Sequence, residues 1–146
     1  MEYTEFELEY ARNQRSRLED IMYSSVMELE DEIRKTIKDR WKRGESVSGG
    51  NITNKKTGSG YSQLSYKALK LMINPSAGGN VDLTYTGILG DKIELIKNGN
   101  GDYEIISTDS KYEEIGDKYG FDEIGLSPNE MQYFMKKLED KLNLKL

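Results

Sequence analysis

Acid–base chemistry in this chain would have to come from carboxylates. Its 146 residues include no cysteine and no histidine. Thiolate nucleophiles, disulfides, cysteine-held metals and the imidazole that titrates near neutrality are therefore all missing. The neighbours Glu113 and Glu114, and again Asp122 and Glu123, supply the residue types of a glycosidase-style pair. Such a pair works across a cleft, with one carboxyl as acid and the other as base or nucleophile. Residues adjacent in sequence do not face each other in that way, so a solvated acidic face is the expected reading. A calcium loop would need D-x-D-x-D-G spacing, which does not occur. The fourteen glycines contain no G-x-x-x-x-G-K-S/T phosphate cradle. No catalytic residue, cofactor or metal site is expected.

Cations offer a different chemistry. Residues 34–43, RKTIKDRWKR, hold six bases and one acid, and Lys55 and Lys56 follow. Phosphate contacts from these side chains, with the Trp41 indole stacked on a base, would make a nucleic-acid footprint. The simpler reading is a helix end whose cations favour the negative end of the helix dipole. The net charge of −5 weighs against attraction of duplex phosphate by the whole molecule. A third reading pairs this basic run with an acidic patch on an identical copy. The N-terminus suits that role, since Glu2, Glu5, Glu7 and Glu9 come with no base among them.

The elements that would position these groups follow from periodicity. Leu18, Met22, Val26, Leu29, Ile33, Ile37 and Trp41 recur at three- and four-residue steps. That spacing predicts one long helix over 1–43, ended by Gly44 after a basic last turn. A stripe so long exceeds what a small domain covers, so part of it is expected on a neighbouring subunit. Residues 44–60 are rich in glycine, serine, threonine and asparagine and read as a flexible arm. Leu64, Ala68 and Leu71 predict a short helix that stops at Asn74-Pro75.

The stretch VDLTYTGILG places two threonines and a glycine in a turn with no chemistry around it. Thr86 is the expected helix N-cap there, and Gly87 supplies an unusual backbone angle. KIELIK, NGNG and DYEIIS then predict an antiparallel hairpin, because asparagine and glycine tolerate positive φ between two β-branched runs. Ser110 to Glu113 has capping-box spacing for a short helix reaching Gly120. Ser127, Pro128 and Glu130 open a last helix with Met131, Phe134, Leu138 and Leu142 on one face. The fold class expected is α+β in a single domain: long helix over 1–43, arm over 44–60, and a core over 61–146 ending in a helix. No apolar run approaches the roughly 18 residues of a membrane span. The acidic start lacks a signal-peptide layout, so a cytoplasmic setting is expected.

Composition points toward assembly. Hydrophobic residues make up 36% and charged residues 32%, with a mean hydropathy of −0.76. That polar balance suits a chain that orders part of itself against partners. The subunit-interface candidates are Ile33, Ile37, Trp41, Ile52, Tyr61, Tyr66 and Tyr85. The tyrosines qualify through their apolar body and polar tip.

Three segments, taken in order, carry a resemblance. They are Tyr61-Ser62 with Tyr66 and Lys70, Val81-Asp82-Leu83-Thr84-Tyr85-Thr86-Gly87-Ile88-Leu89, and Gly125-Leu126-Ser127 with Glu130. Over about residues 30 to 140 the chain resembles the bacteriophage virion morphogenesis proteins, the tail-completion or neck proteins of tailed phages. The resemblance implies a non-enzymatic virion subunit forming a homo-oligomeric ring at the head–tail junction or upper tail. It implies identical subunits and other phage proteins (portal, adaptor, tail tube) as partners, assembly in the bacterial cytoplasm, DNA only as transient cargo in the lumen, and no membrane. The alternative is a small nucleic-acid-associated protein using the basic end of the N-terminal helix, and a carboxylate hydrolase stands third.

Overall fold

The computed structural model describes residues 4–61, 64–79, 81–83 and 87–146. Among these the architecture is α+β: helices surround a two-stranded antiparallel sheet. The N-terminal stripe forms two helices rather than one, α1 (Glu5–Met27) and α2 (Glu30–Lys42). The hydroxyls of Ser24 and Ser25 both bond back to the Ile21 carbonyl, at 3.1 and 2.7 Å. Such bonds compete with the backbone ladder. The Leu29 N–H then closes a tighter turn on the Val26 carbonyl at 3.0 Å, and Leu29 restarts the helix by accepting from Ile33. α1 begins with a capping box between Thr4 and Glu7 that the periodicity did not reveal. α2 ends as expected. Gly44 sits at φ 71°, its N–H bonds the Trp41 carbonyl, and the Glu45 N–H reaches the Arg40 carbonyl, a Schellman motif.

The core gathers around α2. Val26, Leu29, Ile33, Ile37 and Trp41 pack with Ile52, Val81, Leu89, Ile93, Leu95, Tyr119, Ile124 and Phe134. This corrects the expectation that Ile33, Ile37, Trp41 and Ile52 serve subunit contacts. They are the floor of the chain's own core, and Ile37 and Trp41 are 0% exposed. The hairpin and later elements supply enough apolar surface to cover the C-terminal part of the stripe.

Segment 44–60 is tacked to the body at several points. Glu45 pairs with Asn51, and Ile52 bridges Val81 in antiparallel fashion. The Ser46 hydroxyl and the Val47 N–H bind the two carboxylate oxygens of Glu123. The Lys55 N–H donates to the Lys118 carbonyl at 2.8 Å. Ile52, an isolated apolar residue in a polar run, is thus the anchor of the segment.

α3 (Leu64–Ile73) stops before Pro75, as the proline requires. Past it, Val81 and Asp82 are buried and Leu83 takes φ 54°, a left-handed angle that costs a leucine of order 1 kcal/mol. Thr86 lies outside the described residues. The cap position of α4 (Ile88–Asp91) is Gly87 itself, at φ 73° with no side-chain cap. The hairpin follows, with β1 (Ile93–Lys97) against β2 (Tyr103–Ser107) in the register Ile93↔Ser107 to Lys97↔Tyr103. The Asn98 side chain organises its turn by accepting from the Asn100 and Asp102 N–H groups. The outer edge of β1 is not open for pairing. Arg34 donates to the Ile93 carbonyl at 2.8 Å and Glu30 accepts from the Leu95 N–H at 3.0 Å, so α2 stands in for a third strand.

The Ser110–Glu113 capping box does not form. Lys111 holds the cap position without a side-chain cap, and Asp109 closes a turn just ahead of it: its side chain accepts from the Lys111 N–H at 2.9 Å and its carbonyl from Tyr112. α5 (Tyr112–Tyr119) then turns at Gly120. Phe121 folds back so closely that a Cβ on Gly116 would meet its ring at 2.1 Å. α6 (Pro128–Lys145) opens with the expected capping box of Ser127 and Glu130.

Candidate functional site

Among the described residues, two buried polar clusters and a long open apolar surface stand out beyond the core, and α3 exposes Leu69, Leu71, Met72 and Ile73 as a further patch. The first cluster is centred on Asp82. Its carboxylate meets Lys70 at 2.5 Å and accepts from the Asn74 amide at 2.9 Å, and both charged side chains are almost fully buried. The Asn74 amide also reaches the Lys42 carbonyl at 2.7 Å. The Asp82 N–H points to the Tyr61 hydroxyl at 3.4 Å. Burial first, and the Asp82 carboxylate second, push the Tyr61 hydroxyl well above the ordinary tyrosine range. Tyr61 is therefore a neutral phenol at any physiological pH. Each group here faces another group of the fold, which ties α3, the end of α2 and the Val81 segment together. The adjoining cleft, lined by Tyr61, Tyr66 and Lys111 among others, holds only about 170 Å³.

The second cluster fixes the approach to α6. Arg40 pairs with Glu130 and donates to the Glu123 and Gly125 carbonyls at 2.8 and 2.9 Å. The Trp41 indole N–H joins it on the Glu123 carbonyl at 2.8 Å. The indole of the basic run is thereby sealed inside and turned away from any base. Four of its neighbouring cations are occupied as well: Arg34 by Glu30 and Asp31, Lys35 by Asp39, Lys38 by Asp91, Arg43 by Glu45. Glu123 spends its carboxylate on Ser46 and Val47, so it does not form an acid–base pair with Asp122. Among the described residues no cluster of three or more acidic side chains could hold a metal ion.

The open surface is of another kind. Residues 4–20 of α1 are exposed, with Gln14 alone half-buried. At about 1.5 Å per residue, this is roughly 24 Å of helix that the body leaves uncovered. It carries Phe6, 78% exposed, together with Leu8, Tyr10 and Leu18. An open groove of about 650 Å³ runs between α1 and the hairpin tip, past Ala11, Leu18 and Met22 on one side and Lys97 and Tyr103 on the other. Met22 continues into a second open groove of about 650 Å³ along α6, with Met131, Met135, Leu142 and Leu146. A third, sharing Tyr103 and Met131, crosses β2 to Phe121. Apolar patches on this scale mark contact sites more often than plain surface.

Three ion pairs hold α6 antiparallel to the α1–α2 stretch. Lys137 meets Glu32 at 2.7 Å, Lys141 meets Glu28 at 3.1 Å, and Lys145 meets Glu28 at 2.7 Å. Hydrogen bonds from Lys145 and Lys141 lower the Glu28 carboxyl, and the bond from Lys137 lowers that of Glu32.

Of the interface candidates, Ile33, Ile37, Trp41 and Ile52 are internal, Tyr61 is half-buried, and Tyr66 lies at the surface in edge contact with Tyr61 at 4.9 Å. Tyr85 lies outside the described residues. Leu18 belongs to the stripe read from spacing, whereas Phe6, Leu8 and Tyr10 were missed because EFELEY reads first as an acidic run. No family model matches this chain, and no curated protein and no solved structure matches it significantly.

Proposed function

We propose that this chain is a structural virion protein of a tailed bacteriophage, one subunit of a homo-oligomeric ring at the head–tail junction or upper tail. The observation that carries the reading is the uncovered apolar surface running from α1 past the hairpin to α6. A helix left bare over its first half, with aromatic residues on it, is a poor feature for an isolated protein and a useful one for a brick among identical bricks. The order of the Tyr61, Val81–Leu89 and Gly125–Glu130 segments supports the particular class of assembly. The acidic balance suits a lumen through which DNA passes without being gripped. The buried Trp41 and the paired cations around it give the nucleic-acid alternative no support.

Electron microscopy of the purified chain, and of phage particles with this chain tagged, tests the proposal. Ring-shaped particles and a tag at the neck or upper tail are expected. A compact monomer that turns over a small molecule, or a tag found away from the head–tail axis, would end it.

A further inference from the structure

We infer that the groove between α1 and the hairpin tip receives the first turns of α1 from a second copy of the chain. The inference rests on the assembly reading and names the contact. Within α1, Phe6 and Tyr10 stand four residues apart and form one ridge, and helical spacing puts Glu9 on one flank of it and Glu7 on the other. The groove is the counterpart. Its floor is Ala11, Leu18 and Met22; its walls carry Tyr10, Arg15 and the Arg15 partner Glu19 from α1, and Lys97 and Tyr103 from the hairpin.

An apolar ridge edged by carboxylates thus meets an apolar floor whose rim carries the cations Arg15 and Lys97 and one carboxylate, Glu19. Among the described residues, Lys97 and the nearby Arg12 and Arg17 have no carboxylate within ion-pair distance, and the only partner of Arg15 is the exposed Glu19. The basic run at 34–43, by contrast, has five of its six cations paired with the chain's own acids, so it is the weaker candidate to receive an acidic N-terminus. Charge along α1 falls in blocks: acid at 5, 7 and 9, base at 12, 15 and 17, acid at 19 and 20. Every copy therefore presents both halves of the contact on adjoining stretches of α1, with Tyr10 at their boundary. Such a contact propagates head-to-tail and closes into a ring where the rotation permits.

Sedimentation of the whole chain across a concentration series tests this with two charge-swap variants. Glu7→Arg with Glu9→Arg makes both patches basic, and Arg15→Glu with Lys97→Glu makes both acidic. Each variant alone is expected to self-associate at least about tenfold more weakly than the natural chain. An equimolar mixture is expected to regain association, because the basic ridge of one fits the acidic groove of the other. Recovery in the mixture also shows that both variants fold. A natural chain that associates while being indifferent to both swaps overturns the groove assignment and leaves the subunit reading standing. Two weakened variants that fail to recover on mixing overturn the assignment, as does a natural chain that stays monomeric throughout the series.

Discussion

α1 and α2 are neighbours in sequence with opposite fates. α2 turns Ile33, Ile37 and Trp41 inward and ties off its polar face: Glu30 and Arg34 on β1, Arg40 on the turn before α6. The first half of α1 has apolar residues of similar size and touches almost nothing. The difference is not in how the two helices are charged at their start, since both begin with acidic turns that suit the dipole. It lies in what the rest of the chain can reach. One small sheet and four further helices cover about one and a half helices of stripe, and the remainder is surface offered to something else.

The comparison breaks most sharply at Trp41. Trp41→Ala should cost about 3–5 kcal/mol, through lost packing and an empty site beside α6. A urea titration followed by circular dichroism should show a much lower midpoint. A loss under about 1 kcal/mol would mean that the α2 face is not the core.

A smaller effect is expected from the ion-pair ladder that joins α6 to this region. Glu28 and Glu32 have carboxyls held below their ordinary value of 4.5, so their contribution is present above that pH and fades as pH falls through the lowered values. Lys137 is raised above 10.5 by Glu32, so its share is complete below that pH and fades in strong alkali. Thermal melts of Glu32→Gln should fall below those of the natural chain at pH 7 and converge with them in acid. A gap that persists unchanged in acid would remove the electrostatic account. The pairs are exposed, so the shift should be modest.

Smallest of all should be the effect of Phe6→Ser on the monomer, within about 0.5 kcal/mol, because the side chain packs on nothing in its own chain. The same substitution should weaken self-association at least about tenfold by sedimentation. Together the two measurements separate a helix built for the core from one built for a neighbour. A Phe6→Ser chain that unfolds more readily, or associates as before, would erase the distinction.

Local signals written in a few residues were legible. Pro75 ends α3, Asn98 and its glycines make the hairpin, Ser127 with Glu130 caps α6, and Gly44 closes α2. Each depends on hydrogen bonds and φ angles within one turn, which residue type controls directly. The break at Glu28-Leu29 was hidden by an unbroken apolar period, because a change in backbone hydrogen bonding leaves no mark on hydrophobicity. Ser110 does not cap α5: Lys111 holds the cap position, and Asp109 closes a side-chain turn just before it, a difference below what spacing resolves.

What the amino-acid order alone determined is most of the elements, the ends set by Gly44, Pro75, Asn98 and Ser127, and the shortage of groups for acid–base chemistry. Tertiary structure decided which apolar residues face inward, since a stripe specifies that a helix has a greasy side but not how far the remaining chain extends over it. It also decided that Lys70, Asp82, Arg40 and Glu123 are internal struts rather than surface charges. Those pairings join residues far apart in sequence, and only the folded path of the backbone brings them within bonding distance.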